Sequence, residues 1–297
     1  MIEGTRHVEL SRDGIGGSET TLDLLAIEEP LEIRVQWEEE GEPRVANVAV
    51  TMRTPGADAE LAAGFLFTEG LVGDRAQILD IHSCRPGSIR VVIAPGAAID
   101  LTRFERHSYT SSSCGLCGKT SLAALRTTSR FPLGDAIPRV DAALIRSLPA
   151  TLRQAQPAFD ATGGLHASAL FDLEGRLVTL REDVGRHNAL DKVIGAELLA
   201  SRLPANERIL MLSGRVSFEL VQKALMAGIA IVAAIGAPSS LAVDLAREAG
   251  MTLLGFVRPE RMNIYSCGER IHGLDAVPSP APHAAVARER EHCWALR

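Results

Sequence analysis

Two thiols separated by two residues stand in Cys114-Gly-Leu-Cys117-Gly. Such a pair can close a disulfide, share a metal ion, or receive sulfur and pass it on. The reactive form is the thiolate, and the free N–H groups and dipole at a helix start favour it. Cys117 lies just before a helix expected over 121–128, with Thr120 as its N-cap, and His107 and Lys119 add positive charge nearby. The stretch 105–120, ERHSYTSSSCGLCGKT, has no hydrophobic period and is dominated by Ser and Gly, so it reads as an exposed loop. An exposed thiol pair without a task is an oxidation liability. Sulfur chemistry is the reading that uses both the exposure and the spacing.

The rival chemistries are short of residues. Structural zinc needs four ligands, commonly as two close pairs, and here Cys84, Cys267 and the histidines stand singly; no metal site is expected. The zinc-deaminase pattern needs H-x-E followed by P-C-x-x-C, whereas this cysteine pair precedes His166-Ala-Ser168 and has no proline before Cys114. A thioredoxin-like motif sits between a strand and a helix, and Ser111–Ser113 offers no strand end. Gly118-Lys119-Thr120 resembles the end of a phosphate-binding loop, but Ser113 occupies the position that requires glycine.

Three more clusters carry charge at junctions between elements. Residues 181–192, REDVGRHNALDK, concentrate ionisable groups at a strand-to-helix turn. A solvated helix start is the plain reading; the alternative is that Asp183, His187, Asp191 and Lys192 line a cleft. Ser213-Gly-Arg215 stands where free helix N–H groups can hold an anion. Phe256-Val257-Arg258-Pro259-Glu260-Arg261 follows the last apolar strand and offers two guanidiniums. Open α/β sheets gather ligands beyond the carboxyl ends of their strands, so the last two clusters point to an anionic or nucleotide-like ligand. His166 suits a satisfied core position and is given no role.

The elements that would position these groups follow from periodicity. Strands are expected over 31–37 and 45–52 around Gly41-Glu42-Pro43, and over 78–83 and 89–94 around Pro86-Gly87, with a helix over 57–72. Then come a helix over 141–154 containing Pro149 and a hairpin over 166–180 turning at Glu174-Gly175. Helices over 188–201, 216–227 and 240–249 alternate with apolar strands over 208–212, 229–235 and 251–257. Alternation with fully apolar strands indicates an α/β sheet covered by helices. The chain is therefore expected to be α/β (α+β overall): a loose arm over 1–20, a strand-rich N-terminal domain over 21–112, the cysteine loop with a C-terminal α/β domain over 113–275, and a disordered Pro/Ala-rich tail over 276–297.

Composition sets the outer limits. The chain has 297 residues, of which 46% are apolar, so a core can form without staples. Aromatics make up only 4%, which leaves Ala, Val, Leu and Ile to fill that core. A net charge of −6 argues against general nucleic-acid binding, which needs clustered cations. Five irregularly spaced cysteines argue against a disulfide framework and for a reducing cytoplasm. The start has no apolar secretion core, and no run approaches the roughly 18 apolar residues of a membrane span.

Taken together, SSSCGLCGKTSL (111–122), REDVGRHNALDKVIG (181–195), SGRVSFELVQKALMAGI (213–229), APSSLAVDLA (237–246) and GFVRPERMNIY (255–265) resemble the FdhD family of formate dehydrogenase accessory sulfurtransferases, in order and spacing, across roughly residues 20–266. The resemblance implies a homodimer whose C-terminal region is a three-layer α/β domain similar to the cytidine-deaminase fold without its metal. It implies sulfur received from a cysteine desulfurase and passed to the bis-molybdopterin guanine dinucleotide form of the molybdenum cofactor, which is then inserted into formate dehydrogenase. Cys114 matches the persulfide-bearing cysteine, Cys117 its partner, and Phe256, Val257, Arg258, Pro259, Glu260 and Arg261 the stretch assigned to cofactor binding. The competing class is a chaperone that binds cofactor and apoenzyme without carrying sulfur.

Overall fold

The computed structural model describes residues 2–97, 131–133 and 138–274. Cys114, Cys117, the helix expected over 121–128 and the tail expected over 276–297 lie outside the described residues.

The expected loose arm is instead a hairpin. β1 (Thr5–Gly14) and β2 (Gly17–Ala26) pair antiparallel, with Gly14 opposite Gly17 across an Ile15-Gly16 turn. Gly17 takes a φ of 105°, which a side chain would resist. Most of the hairpin's side chains are exposed on both faces, so its backbone ladder forms without a hydrophobic alternation to announce it. It is moored by Ile27 N–H donating to the Gly4 carbonyl at 2.7 Å and by packing of β2 on α3 (Pro157–Thr162).

β3 (Glu29–Glu39), β4 (Glu42–Arg53), β5 (Ile78–Arg85) and β6 (Ser88–Ile93) form a four-stranded sheet in the order β4-β3-β6-β5. Period-2 patterning explains which face is buried: Leu31, Ile33 and Val35 on β3 and Ile89, Val91 and Ile93 on β6 all point into one core. α1 (Asp58–Thr68) lies in that core through Leu61, Leu66 and Phe67.

A second sheet of six strands runs β13-β12-β11-β10-β8-β9. It comprises β8 (His166–Phe171), β9 (Leu177–Asp183), β10 (Ile209–Leu212), β11 (Ile231–Ala234), β12 (Thr252–Gly255) and β13 (Asn263–Ser266). β10, β11 and β12 are parallel, and β8, β9 and β13 are antiparallel to their neighbours. Alternate residues of its strands face two cores. Leu210, Leu212, Val232, Ala234 and Leu253 meet α4 (Arg186–Leu199), α5 (Phe218–Met226) and α6 (Ser240–Glu248), while Ile209, Met211, Ile231, Ala233 and Leu254 meet α2 (Ala142–Gln154). Pro149 sits within α2 without ending it, because Ile145, Leu148 and Leu152 still bury one continuous stripe. Two short strands, β7 (Val140–Asp141) and β14 (Ile271–His272), pair in parallel beside this layer.

The two sheets share the first core, and α1 crosses α4 inside it. At the crossing two glycines meet. A Cβ on Gly64 would fall 1.9 Å from the Asp191 carbonyl oxygen, and one on Gly195 would fall 1.8 Å from that of Glu60. Both obstacles are backbone, so neither can step aside. Gly64→Ala or Gly195→Ala is expected to push the helices apart and cost about 1–3 kcal/mol or more, read as a lowered thermal midpoint of the purified protein.

Candidate anion-binding site at the strand ends

The strand registers bring one set of loops to a single edge. His166 at the start of β8 is opposite Asp183 at the end of β9, and Ser168 is opposite Leu212 at the end of β10. Leu212 is in turn beside Ala234 on β11, and Ala233 is beside Leu254 on β12. The turns at 184–187, 213–217, 235–239 and 256–262 therefore open on the same side. Three glycines let them approach backbone to backbone. A Cβ on Gly236 would lie 2.6 Å from the Gly214 oxygen, and one on Gly255 would lie 3.0 Å from Pro238 and Tyr265.

The segment 256–261 forms the outer lip of this edge. Phe256 is exposed and takes a φ of 51°, a left-handed conformation that is costly for an aromatic residue and often marks functional backbone. Val257 is fully buried in the core beneath. Arg258 donates from Nη1 to the Ile235 carbonyl at 2.9 Å and to its neighbour Val257 at 2.7 Å, so it braces the β11 loop from within. Pro259, Glu260 and Arg261 are exposed, and reciprocal bonds between Arg258 and Arg261 backbones, at 2.8 and 3.3 Å, close the turn. Of the two guanidiniums, the exposed one is that of Arg261.

The charged segment at 181–192 behaves differently from a cleft lining. Asp183, Asp191 and Lys192 are buried and mutually committed. Lys192 Nζ is 2.7 Å from Asp183 Oδ2 and donates to the Thr54 carbonyl at 2.8 Å, while Thr54 N–H reaches the same carboxylate at 3.2 Å. Asn188 donates to the Met52 carbonyl at 2.7 Å and to Asp183 Oδ1 at 3.1 Å, and Gly185 N–H donates to that oxygen at 2.8 Å. This network ties the end of β4 to the β9–α4 turn. One helical turn further, Asp191 accepts from Lys223 Nζ at 2.9 Å with both oxygens and from the Thr68 hydroxyl at 2.8 Å. Burial raises the pKa of Asp191, an effect that Lys223 only partly offsets. Burial pulls Lys223 downward, but attraction from Asp191 and Glu69 outweighs it and leaves the ammonium above its ordinary value.

Only the first turn of α4 faces the strand-end edge. His187 Nε2 lies 2.9 Å from Glu219 Oε2 and 3.2 Å from the Ser217 hydroxyl, joining the starts of α4 and α5. Burial alone would raise Glu219; the His187 hydrogen bond and charge, with Lys223 and Arg186, reverse that and hold the carboxyl below its ordinary range. His166, given no role from sequence, stands at the centre of the edge. Burial pushes its pKa down, and Arg186, His187 and Arg215 push it further, against a weaker pull from Asp183. Arg186, the first residue of α4, is not distinguished in the sequence from the other charges of 181–192. Among the described residues no group of three or more His, Cys, Asp or Glu is arranged to hold a metal, and no helix is long and apolar enough to cross a membrane.

The fold is that of an α/β protein whose strand-end loops converge on one edge. The FdhD/NarQ family model matches residues 26–272, and the chain belongs to that family. It is 51% identical over 276 residues to the sulfur carrier protein FdhD of Streptomyces avermitilis, an alignment covering 90% of this chain and 94% of that one. It is 47% identical over 264 residues to the protein of the same name from Mycobacterium tuberculosis, covering 85% and 93%. Among solved structures, a protein assigned as a formate dehydrogenase accessory protein from Desulfotalea psychrophila is similar, with a TM-score of 0.72 and 29% identity, covering 90% of this chain and 99% of that one.

Proposed function

We propose that this protein is a sulfurtransferase that carries sulfur on Cys114 and delivers it to the bis-molybdopterin guanine dinucleotide form of the molybdenum cofactor, on behalf of formate dehydrogenase. The observation that carries the reading is likeness to sulfur carriers over nine-tenths of the chain, together with a Cys114-Gly-Leu-Cys117 pair whose spacing suits sulfur relay. The Cys114 thiolate attacks the outer sulfur of a cysteine desulfurase persulfide. That S–S bond breaks, the desulfurase leaves as a thiolate, and the sulfur remains on Cys114. Attack by Cys117 on the Cys114 Sγ would then release the sulfur at the sulfide level to the cofactor and leave a Cys114–Cys117 disulfide for a dithiol reductant to reopen. The cofactor is substrate here. Its guanine nucleotide portion is assigned to the strand-end edge, where Phe256 offers an exposed ring for stacking and Arg261 an exposed guanidinium for phosphate. The working form is proposed to be a cytoplasmic homodimer.

Two measurements test the halves of this reading. Incubation with a cysteine desulfurase and cysteine is expected to add the mass of one sulfur atom, removable by reductant and absent in Cys114→Ala; no gain beside an active desulfurase favours the chaperone. Phe256→Ala with Arg261→Ala is expected to weaken binding of GDP, a probe for the cofactor's nucleotide end, by about tenfold or more in calorimetric titration. Unchanged binding would move the cofactor elsewhere.

A further inference from the structure

We propose that the outer face of the four-stranded sheet is the docking surface for the protein that donates the sulfur, and that Arg34 and Arg90 hold a carboxylate-bearing segment of that donor. The inference rests on the sulfur-carrier reading and adds to it the place and the charge of the donor's contact.

Register fixes the arrangement. On β3, Leu31, Ile33 and Val35 point into the core, so Glu32, Arg34 and Gln36 point the other way. α1, the helix packed on β6, lies on the core side. On the outer face Arg34 stands opposite Asn47 of β4 and Arg90 of β6, and Arg90 stands opposite His82 of β5. One row therefore crosses all four strands, with two guanidiniums side by side and an imidazole at its end. Neighbouring strands lie roughly 4.8 Å apart, and like charges placed directly opposite on a sheet repel.

The acids on this face are committed elsewhere. Glu32 accepts from Ser88 Oγ at 3.0 Å and from Arg85 Nη2 at 3.1 Å, and Asp80 Oδ2 lies 2.8 Å from His82 Nδ1. Burial raises the Glu32 pKa and Ser88 and Arg85 outweigh it, with Arg34 contributing least. The two central arginines bond to neutral amides instead: Arg34 Nε donates to Asn47 Oδ1 at 2.9 Å, and Arg90 Nη1 donates to Gln36 Oε1 at 3.1 Å. Arg90 Nε is buried with no hydrogen-bond partner among the described residues. Such a donor calls for an acceptor. A carboxylate set between the two guanidiniums would relieve their repulsion and be gripped by two bonds from a planar fork.

The surroundings favour a protein as the source of that carboxylate. No Phe, Tyr or Trp stands in this row or in the two rows beside it, so the face has no platform for stacking bases. Its few cations fall short of the four to eight clustered basic residues that hold a chain to an anionic membrane. Val45 and Val50, 40% and 62% exposed on β4, flank the arginines, with the half-buried Val92 on β6. Arginine set among modest apolar surface on a flat face has the make-up of a protein interface.

Placement favours the donor over the recipient. The cofactor edge belongs to the six-stranded sheet, and α1 and α4 lie between the two sheets, so the outer face of the four-stranded one looks away from it. A donor seated here leaves the cofactor edge open, and sulfur can be loaded while cofactor is bound. β6, which carries Arg90, is also the last described strand before Cys114 in the chain.

The test adds a cysteine desulfurase to the full-length chain and follows binding by biolayer interferometry and sulfur loading by intact mass. Glutathione persulfide serves as a small donor that needs no docking: the Cys114 thiolate attacks its outer sulfur, and glutathione leaves as the thiolate. Arg34→Glu with Arg90→Glu should weaken desulfurase binding by about tenfold or more and slow loading from it, while loading from glutathione persulfide stays unchanged. Wild-type binding should weaken with added salt. Val50→Asp, a change at one exposed side chain, should act in the same direction and decides the matter if the double variant fails with both donors. Desulfurase binding that neither variant weakens would overturn the docking face. So would a double variant that keeps the desulfurase and loses only apo formate dehydrogenase, because the face would then serve the recipient. Arginine-dependent binding of single-stranded RNA or of anionic vesicles would overturn the protein assignment. A wild type that takes sulfur from neither donor would defeat the carrier reading itself, and the donor face with it.

Discussion

Cys114→Ala is expected to reduce formate dehydrogenase activity to background in cells that depend on this protein, while the variant folds and accumulates normally. A thiol that carries the transferred atom has no substitute: serine and alanine cannot hold sulfane sulfur, and the step fails entirely instead of slowing. Complementation of a strain lacking the protein, with its abundance checked by immunoblot, measures this directly. A chaperone that merely holds cofactor and apoenzyme would keep most activity in Cys114→Ala, and also in a variant with serine at 114 and 117. The two classes are therefore separated by one strain and two variants.

The largest stability effect is expected from the buried Asp191–Lys223 pair. Lys223→Met removes the ammonium but leaves a carboxylate that is almost wholly enclosed and, among the described residues, keeps the Thr68 hydroxyl as its side-chain donor. Breaking one side of such a pair costs about 3–5 kcal/mol, whereas replacing both partners with apolar groups of similar size is often close to neutral. Asp191→Leu with Lys223→Met should thus recover most of what Lys223→Met loses, in urea denaturation followed by circular dichroism. The pH dependence has a definite sign. Burial already holds the folded-state pKa of Asp191 above its ordinary value, and without Lys223 it climbs further, so the folded state binds the extra proton more tightly. The deficit of Lys223→Met should shrink on acidification and grow as pH rises through the folded pKa. A deficit independent of pH would mean that lost packing, not an uncompensated charge, is responsible.

Much of the fold is legible in the sequence because its core strands are apolar and its turns are marked. The strands at Ile209–Leu212, Ile231–Ala234 and Thr252–Gly255 sit inside the apolar runs expected to hold them, and the turn at Glu174-Gly175 separates β8 from β9 as expected. The β1–β2 hairpin is not legible because it buries almost nothing, so its alternation of Thr, Glu and Arg resembles a loose segment. α3 and β13 are hidden in the sequence for a related reason: each is short, and each is held by tertiary contacts, as in the Glu182 carboxylate that accepts from Ala158 and Phe159 N–H at 3.2 and 2.8 Å.

The site is less legible. A run such as REDVGRHNALDK shows that charge is concentrated, but not where each side chain points. α4 turns Asp191 and Lys192 into the interior and leaves Arg186 and His187 at the edge, a division set by the crossing with α1 and invisible in the letters. The 256–261 segment divides in the same way, with Val257 inward and Phe256 and Arg261 outward. A single histidine at a strand start, such as His166, carries no signal in the sequence; its surroundings are set by the loop after β10, which brings Gly214 against its ring.

The glycine crossing of α1 and α4 has a consequence for cooperativity. With no side chain between the two backbones, and with Lys192 and Lys223 each reaching acceptors on the other side of the junction, neither sheet can lose its order while the other keeps its own. The four-stranded and six-stranded layers should melt in one calorimetric transition, and the amides of α1 and α4 should exchange with deuterium at the same slow rate. A fragment of residues 138–274 alone would expose the Gly195 face of α4 and strip Lys192 of its Thr54 carbonyl, so it is expected to show no cooperative melting transition by itself.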